Sequence, residues 1–175
     1  VRTLVLGGIR SGKSQWAEAD IAAAARGPVR YVATGARADR DEEWARRVSA
    51  HRRRRPEDWS TVETTDVAAA LRTDPAAPTL VDDIGGWLTA EMDRCDAWNG
   101  GSPATGADAL VAAVAAFTAP LTLVSPEVGL TVVPATRAGR LFADELGTLN
   151  QRLAATCERV VLIVAGQPLT LKEPS

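Results

Sequence analysis

Short runs of apolar, mostly β-branched residues alternate with longer amphipathic stretches along the whole chain. The runs at residues 2–6 (RTLVL), 29–34 (VRYVAT), 59–63 (WSTVE), 79–83 (TLVDD), 121–125 (LTLVS) and 160–165 (VVLIVA) predict strands, with a short tail strand around 169–171. Helices are expected over 15–25, 41–51, 66–72, 85–98, 107–117 and 137–158. Breaks fall at Arg26-Gly27-Pro28, at Pro56, at the proline-rich turn 74–78 and at Asn99-Gly100-Gly101-Ser102-Pro103. A glycine- and proline-bearing loop spans 126–134. Strands that are apolar nearly throughout, each followed by a helix, imply a largely parallel sheet with helices on both faces. Ligands of such sheets sit at the carboxyl ends of the strands, where Gly7, Thr34, Asp82 and Ser125 fall.

The first strand runs into Gly7-Gly8-Ile9-Arg10-Ser11-Gly12-Lys13-Ser14, and a helix follows. This is G-x-x-x-x-G-K-[ST] in its proper setting of strand, loop and helix. Its glycines let backbone N–H groups wrap phosphate oxygens, and the helix N-terminus adds partial positive charge. Lys13 is placed to reach the β- and γ-phosphates, and the Ser14 hydroxyl to ligate Mg²⁺. The bland alternative is a glycine-rich turn without a ligand. With the motif in place, the expected fold is a P-loop NTPase-type three-layer sandwich, a single domain over residues 1–175.

Composition supports the motif from another side. Of 20 basic residues only Lys13 and Lys172 are lysines. A lysine inside the glycine loop of an arginine-using chain suggests a site that needs a compact ammonium. Net charge is −2, which gives no reason to expect nucleic-acid binding. Cys95 and Cys157 lack metal-type spacing and read as reduced structural cysteines. No apolar run reaches the roughly 18 residues of a spanning helix, and no signal peptide opens the chain, so a cytoplasmic enzyme is expected.

Three further features bear on chemistry. Asp82 ends an apolar strand, where a P-loop enzyme supplies an acid to the Mg²⁺ shell; strand alternation turns the adjacent Asp83 to the other face. Otherwise the two acids simply open a surface loop. His51, the sole histidine, precedes Arg52, Arg53, Arg54 and Arg55. That run could clamp a triphosphate, and its charge favours neutral imidazole, a competent nucleophile toward phosphorus. Read differently, the run is a solvated helix end or a nucleic-acid patch, although it is short and carries no aromatics.

At these residues the chain resembles the bifunctional adenosylcobinamide kinase/adenosylcobinamide-phosphate guanylyltransferases of cobalamin biosynthesis. The resemblance runs nearly end to end: GGIRSGKS, YVATG at 31–35, HRRRRPEDW at 51–59 followed by TVE, VDDIGGWL at 81–88, EVGLTVVP at 127–134 and GTLNQRLA at 147–154. It implies that His51 is the residue guanylylated. It also implies GTP contacts at residues 7–14, at Thr34, Gly35 and Ala36, at Arg52 through Arg55, at Glu63 and at Asp82. Glu63 would read guanine, since a carboxylate can accept from N1–H and the exocyclic amine together. The implied substrates are adenosylcobinamide with ATP or GTP, the implied ion Mg²⁺ and the implied assembly a homotrimer. Pro126, Thr131, Ala90 and Asp83 depart from the usual family residues; none lies in the glycine loop or at His51. The rival enzyme is a monofunctional small-molecule P-loop kinase with His51 inert. A rival outside enzymology is a nucleotide-gated binding module.

Overall fold

The computed structural model describes residues 1–34 and 56–174. Among these, seven strands form one sheet: β1 (Arg2–Gly7), β2 (Arg30–Ala33), β3 (Ser60–Glu63), β4 (Thr79–Asp82), β5 (Leu121–Pro126), β6 (Arg159–Val164) and β7 (Gln167–Lys172). The order across the sheet is β3-β2-β4-β5-β1-β6-β7. β1 to β6 are parallel, and β7 turns back antiparallel on β6. The helices are α1 (Lys13–Ala24), α2 (Val67–Thr73), α3 (Ile84–Arg94), α4 (Ala104–Ala115) and α5 (Arg137–Thr156). The helix expected over 41–51 lies outside the described residues.

Alternation along the strands sorts the core into two layers. Leu4, Val32, Val81, Leu123 and Val160 face one side, where α2 to α5 deliver Leu71, Leu88, Met92, Leu110, Val114, Leu146 and Leu153. Val5, Tyr31, Leu80, Val124, Val161 and Ile163 face the other, where α1 packs Ala17 and Ile21. Helices therefore cover both faces, as the apolar strands require.

The helix expected to continue to Trp98 ends earlier, at Arg94. Asp96 takes a left-handed φ of 53° and the chain folds into a short 3₁₀ turn, Ala97–Asn99. The Gly101 N–H then returns to the Asp96 carbonyl, and Gly101 lies so close to Cys95 that a Cβ would meet its carbonyl oxygen at 1.8 Å. Pro103 then leads into α4, which starts at Ala104, three residues before the expected position.

At the far edge, Ala165 and Gly166 both have positive φ, 49° and 77°, and form a two-residue hairpin turn between Val164 and Gln167. Lys172, near the end of β7, donates to the carbonyls of Ala154 and Cys157 at 3.0 and 2.6 Å and so neutralises the C-terminal end of α5.

Candidate active site

β1 lies between β5 and β6, so the loop that follows it emerges in the interior of the sheet's carboxyl edge. The loop is tight. A Cβ on Gly7 would come within 2.4 Å of the Ser11 hydroxyl and 3.0 Å of the Ile163 carbonyl. Gly12 has φ 90° and Arg10 φ 56°, so the backbone twice enters the left-handed region within three residues. Gly12 stands at the N-cap of α1 with no side-chain cap, which leaves the first-turn N–H groups to an anion. Lys13 folds back over the loop, its Nζ donating to the Gly8 carbonyl at 3.2 Å. Ser14 is the second residue of α1. Ile9 projects from the tip, 91% exposed, while Ser11 is buried and its Oγ has no hydrogen-bond partner among the described residues.

Asp82 ends β4, two strands from β1, at the same edge. Its Oδ2 accepts the Tyr31 hydroxyl proton at 2.8 Å, on the face that carries α1. Asp83 goes the other way, as alternation predicts: its Oδ1 accepts from Gly86 N at 2.6 Å and caps α3. Burial pushes the Asp83 carboxyl up, and the Asp82 charge adds to this; the Gly86 N–H and the Lys13 ammonium oppose it. Lys13, Asp82 and Asp83 thus share one electrostatic neighbourhood.

The remaining sequence candidates divide. Thr34 is buried at the end of β2, and its hydroxyl donates to the Asp83 carbonyl and accepts from Asp83 N at 3.0 Å. Its side chain braces the strand end that presents Asp82. Glu63 is exposed at the carboxyl end of β3, opposite Ala33, on the edge strand. Gly35, Ala36, His51, Arg52, Arg53, Arg54 and Arg55 lie outside the described residues. Sequence reasoning did not single out Tyr31 as the partner of Asp82. The only local hint was its place in the YVATG segment quoted for the resemblance.

Does the site suit Mg²⁺? The candidate protein donors, the Ser14 hydroxyl and the Asp82 carboxylate, are hard oxygens. Among the described residues no group of three or more His, Cys, Asp or Glu gathers into a cage. Two oxygen ligands plus substrate phosphates is how Mg²⁺ is ordinarily held, so the residues fit the ion.

A parallel sheet with the glycine loop after an interior strand, a following helix and an acid two strands away defines a P-loop NTPase-type α/β fold. The assembled type III secretion ATPase EscN of enteropathogenic E. coli has this fold in common with the chain. The TM-score is 0.56 at 15% identity, covering 94% of this chain and 43% of that one.

The chain belongs to the cobinamide kinase / cobinamide phosphate guanyltransferase family, which it matches over residues 3–171. It is 41% identical over 180 residues to the bifunctional adenosylcobalamin biosynthesis protein CobP of Pseudomonas aeruginosa PAO1, covering 98% of each. It is 37% identical over 183 residues to the bifunctional adenosylcobalamin biosynthesis protein CobU of Salmonella typhimurium LT2, covering 97% of this chain and 98% of that one.

Proposed function

We propose that this chain is a bifunctional transferase of cobalamin biosynthesis, both activities residing in one domain over residues 1–175. In the first reaction a nucleoside triphosphate, ATP or GTP, gives its γ-phosphoryl group to the hydroxyl of adenosylcobinamide. In the second, GMP passes from GTP to adenosylcobinamide phosphate. Family membership supports the pair of activities. The observation that carries the chemistry is the strained glycine loop with Lys13 over it and Asp82 at the same edge of the sheet.

For phosphoryl transfer, backbone N–H groups of residues 7–14 and the α1 N-terminus hold the phosphates, and Lys13 meets charge that spreads onto the leaving oxygens. Ser14 and Asp82 would hold Mg²⁺, which would supply charge neutralisation to the transferring phosphoryl group. Tyr31 and Thr34 keep the Asp82 carboxylate and the strand end behind it in place.

For nucleotidyl transfer, the His51 imidazole nitrogen bonds to the α-phosphorus of GTP and the bond to pyrophosphate breaks. The phosphate oxygen of adenosylcobinamide phosphate then displaces the histidine and takes the GMP. Two polyanions are never joined in a single step. Arg52, Arg53, Arg54 and Arg55 would hold the triphosphate, with Gly35 and Ala36 beside it, and Glu63 would select guanine.

The test uses GTP labelled at the α-phosphorus. The wild-type protein should take up label in an acid-labile, alkali-stable bond, as a P–N link behaves. His51→Ala should take up none while still phosphorylating adenosylcobinamide. Label retained in His51→Ala would move the nucleophile to another residue, and a wild-type protein that takes up no label would leave the monofunctional kinase as the better reading.

A homotrimer and a cytoplasmic location complete the proposal. Exposed Leu130, Val132, Val133, Leu169 and Leu171 are apolar side chains that subunit contact would cover. No described helix is long and apolar enough to cross a membrane. Analytical ultracentrifugation should return three times the mass of the 18.5 kDa chain; a monomer at micromolar concentration would remove the assembly from the proposal.

A further inference from the structure

The β6–β7 hairpin reaches the glycine loop at both of the loop's ends. At the first, Gly7 pairs with Ile163 in the parallel ladder, close enough that a Cβ on Gly7 would stand 3.0 Å from the Ile163 carbonyl oxygen. At the second, Gly12 backs onto the hairpin turn: a Cβ on Gly12 would lie 3.3 Å from the Gly166 Cα. Between these contacts runs one hydrogen bond, from the Gly166 N–H to the Ser11 carbonyl, at 2.8 Å.

Why is that N–H available? In a two-residue turn the flanking residues, here Val164 and Gln167, close the ladder. The N–H of the second turn residue has no role in the hairpin and points away from it. Gly166 adopts φ 77°, where a glycine is at ease, and a Cβ there would meet nothing within 4 Å.

The consequence follows from peptide geometry. The bond between Ser11 and Gly12 is trans, so its C=O and N–H point in opposite directions. Fixing the Ser11 carbonyl outward on the hairpin aims the Gly12 N–H inward, into the loop's concave side. We propose that Gly166 is a positioning residue for phosphate binding: its backbone N–H holds the Ser11–Gly12 peptide in the orientation that presents the Gly12 N–H to the phosphates. The C-terminal hairpin is then part of the phosphate cradle although no phosphate touches it. This rests on the reading of residues 7–14 as the phosphate site.

An amide-to-ester replacement at Gly166, made with glycolic acid in cell-free translation, removes the N–H and keeps the chain's shape. A fluorescent GTP analogue and unlabelled guanosine serve as probes, the second by competition. The ester protein should bind the GTP analogue about tenfold more weakly, the scale of one lost hydrogen bond. Guanosine affinity should stay within twofold, because the base does not meet the loop. Gly166→Ala, which keeps the N–H but strains φ, should shift GTP affinity by no more than two- to threefold.

Unchanged GTP binding by the ester protein, or equal weakening of GTP and guanosine, overturns the proposal. Lys13→Ala in the same assay separates the two levels. If it loses affinity and the ester does not, only the positioning role falls. If it binds as wild type, the loop is not the phosphate site and both fall. Should the ester protein not fold, hydrogen exchange on the wild type decides: the Gly166 amide should be protected, and more so with GTP bound. Exchange at the rate of an open turn in both states overturns the proposal.

Discussion

The two ends of β1 are built on opposite rules. At its start the Arg2 backbone N–H donates to Glu158 Oε2 at 2.6 Å, and Nε and a terminal nitrogen of the guanidinium donate to the same carboxylate. The other terminal nitrogen reaches the Val114 and Ala115 carbonyls at the end of α4. Glu158 is held well below the usual carboxylate range, at about 2, chiefly by these Arg2 hydrogen bonds. Next to it Cys157 is buried, and its thiol is pushed up to about 12. Six residues along the strand everything reverses. Two non-consecutive residues take left-handed φ, one buried hydroxyl has no partner among the described residues, and the helix start lacks a side-chain cap. The lower end matches its polar groups and ties β1 to the end of α4 and to the junction between α5 and β6. The upper end leaves the start of α1 without a side-chain cap and one buried hydroxyl without a partner among the described residues, which suits an anion and which stability alone would not select.

Substitutions should separate the ends cleanly. The largest effect belongs to the upper one. Lys13→Ala, with the charge over the loop gone, should cut adenosylcobinamide phosphorylation by on the order of 10²-fold or more, and Asp82→Asn by a similar factor. Unfolding midpoints within a few degrees of wild type would accompany both. Turnover within a few-fold of wild type for folded Lys13→Ala would remove the loop from the chemistry.

Next in size is the Tyr31 contact, which links core to site. Tyr31→Phe keeps the ring in the α1-side core and deletes the bond to Asp82. Phosphorylation should fall by about three- to tenfold. The Mg²⁺ concentration giving half-maximal binding of a fluorescent GTP analogue should rise by a similar factor. A rate loss with unaltered Mg²⁺ dependence would mean that the hydroxyl serves packing alone.

The smallest effect lies at the lower end. A folded-state carboxyl at about 2, against an ordinary 4.5, stabilises the protein fully above about pH 5 and loses this as pH falls toward 2. With 35% of the Glu158 side chain exposed, solvent screening reduces the effect to about 1 kcal/mol. Glu158→Gln should therefore be less stable by about that much at pH 7 in urea unfolding, with the gap closing near pH 2. GTP affinity should not change. A pH-independent gap would assign the stabilisation to packing rather than to the ion pair. A change in GTP affinity would show that the two ends are coupled.

Local signals made most of the architecture legible. Apolar runs of four to six residues, helical periodicity and glycine–proline breaks depend on neighbours in the chain, and they located all seven strands and the five described helices to within a few residues. The strand, tight glycine turn and helix around residues 7–14 were equally plain, because their spacing is a local signal. The end of α3 was not, since Asp96 turns left-handed under contacts from Gly101 that helical periodicity does not register.

What tertiary structure alone decided are pairings between distant positions. Strand order places the acid of β4 two strands from the loop. Register pairs Tyr31 with Leu80, so its hydroxyl reaches Asp82 two positions along on the same face, and the Thr34 hydroxyl is committed to Asp83. Arg2 finds Glu158 across 156 positions, and Gly166 finds Ser11 only because β6 lies beside β1. Such contacts leave no periodic trace, because each arises from how layers and strands meet rather than from how residues repeat. The sequence alone could therefore name the fold and the residues proposed here as donors. Which groups hold those donors in place was decided by packing.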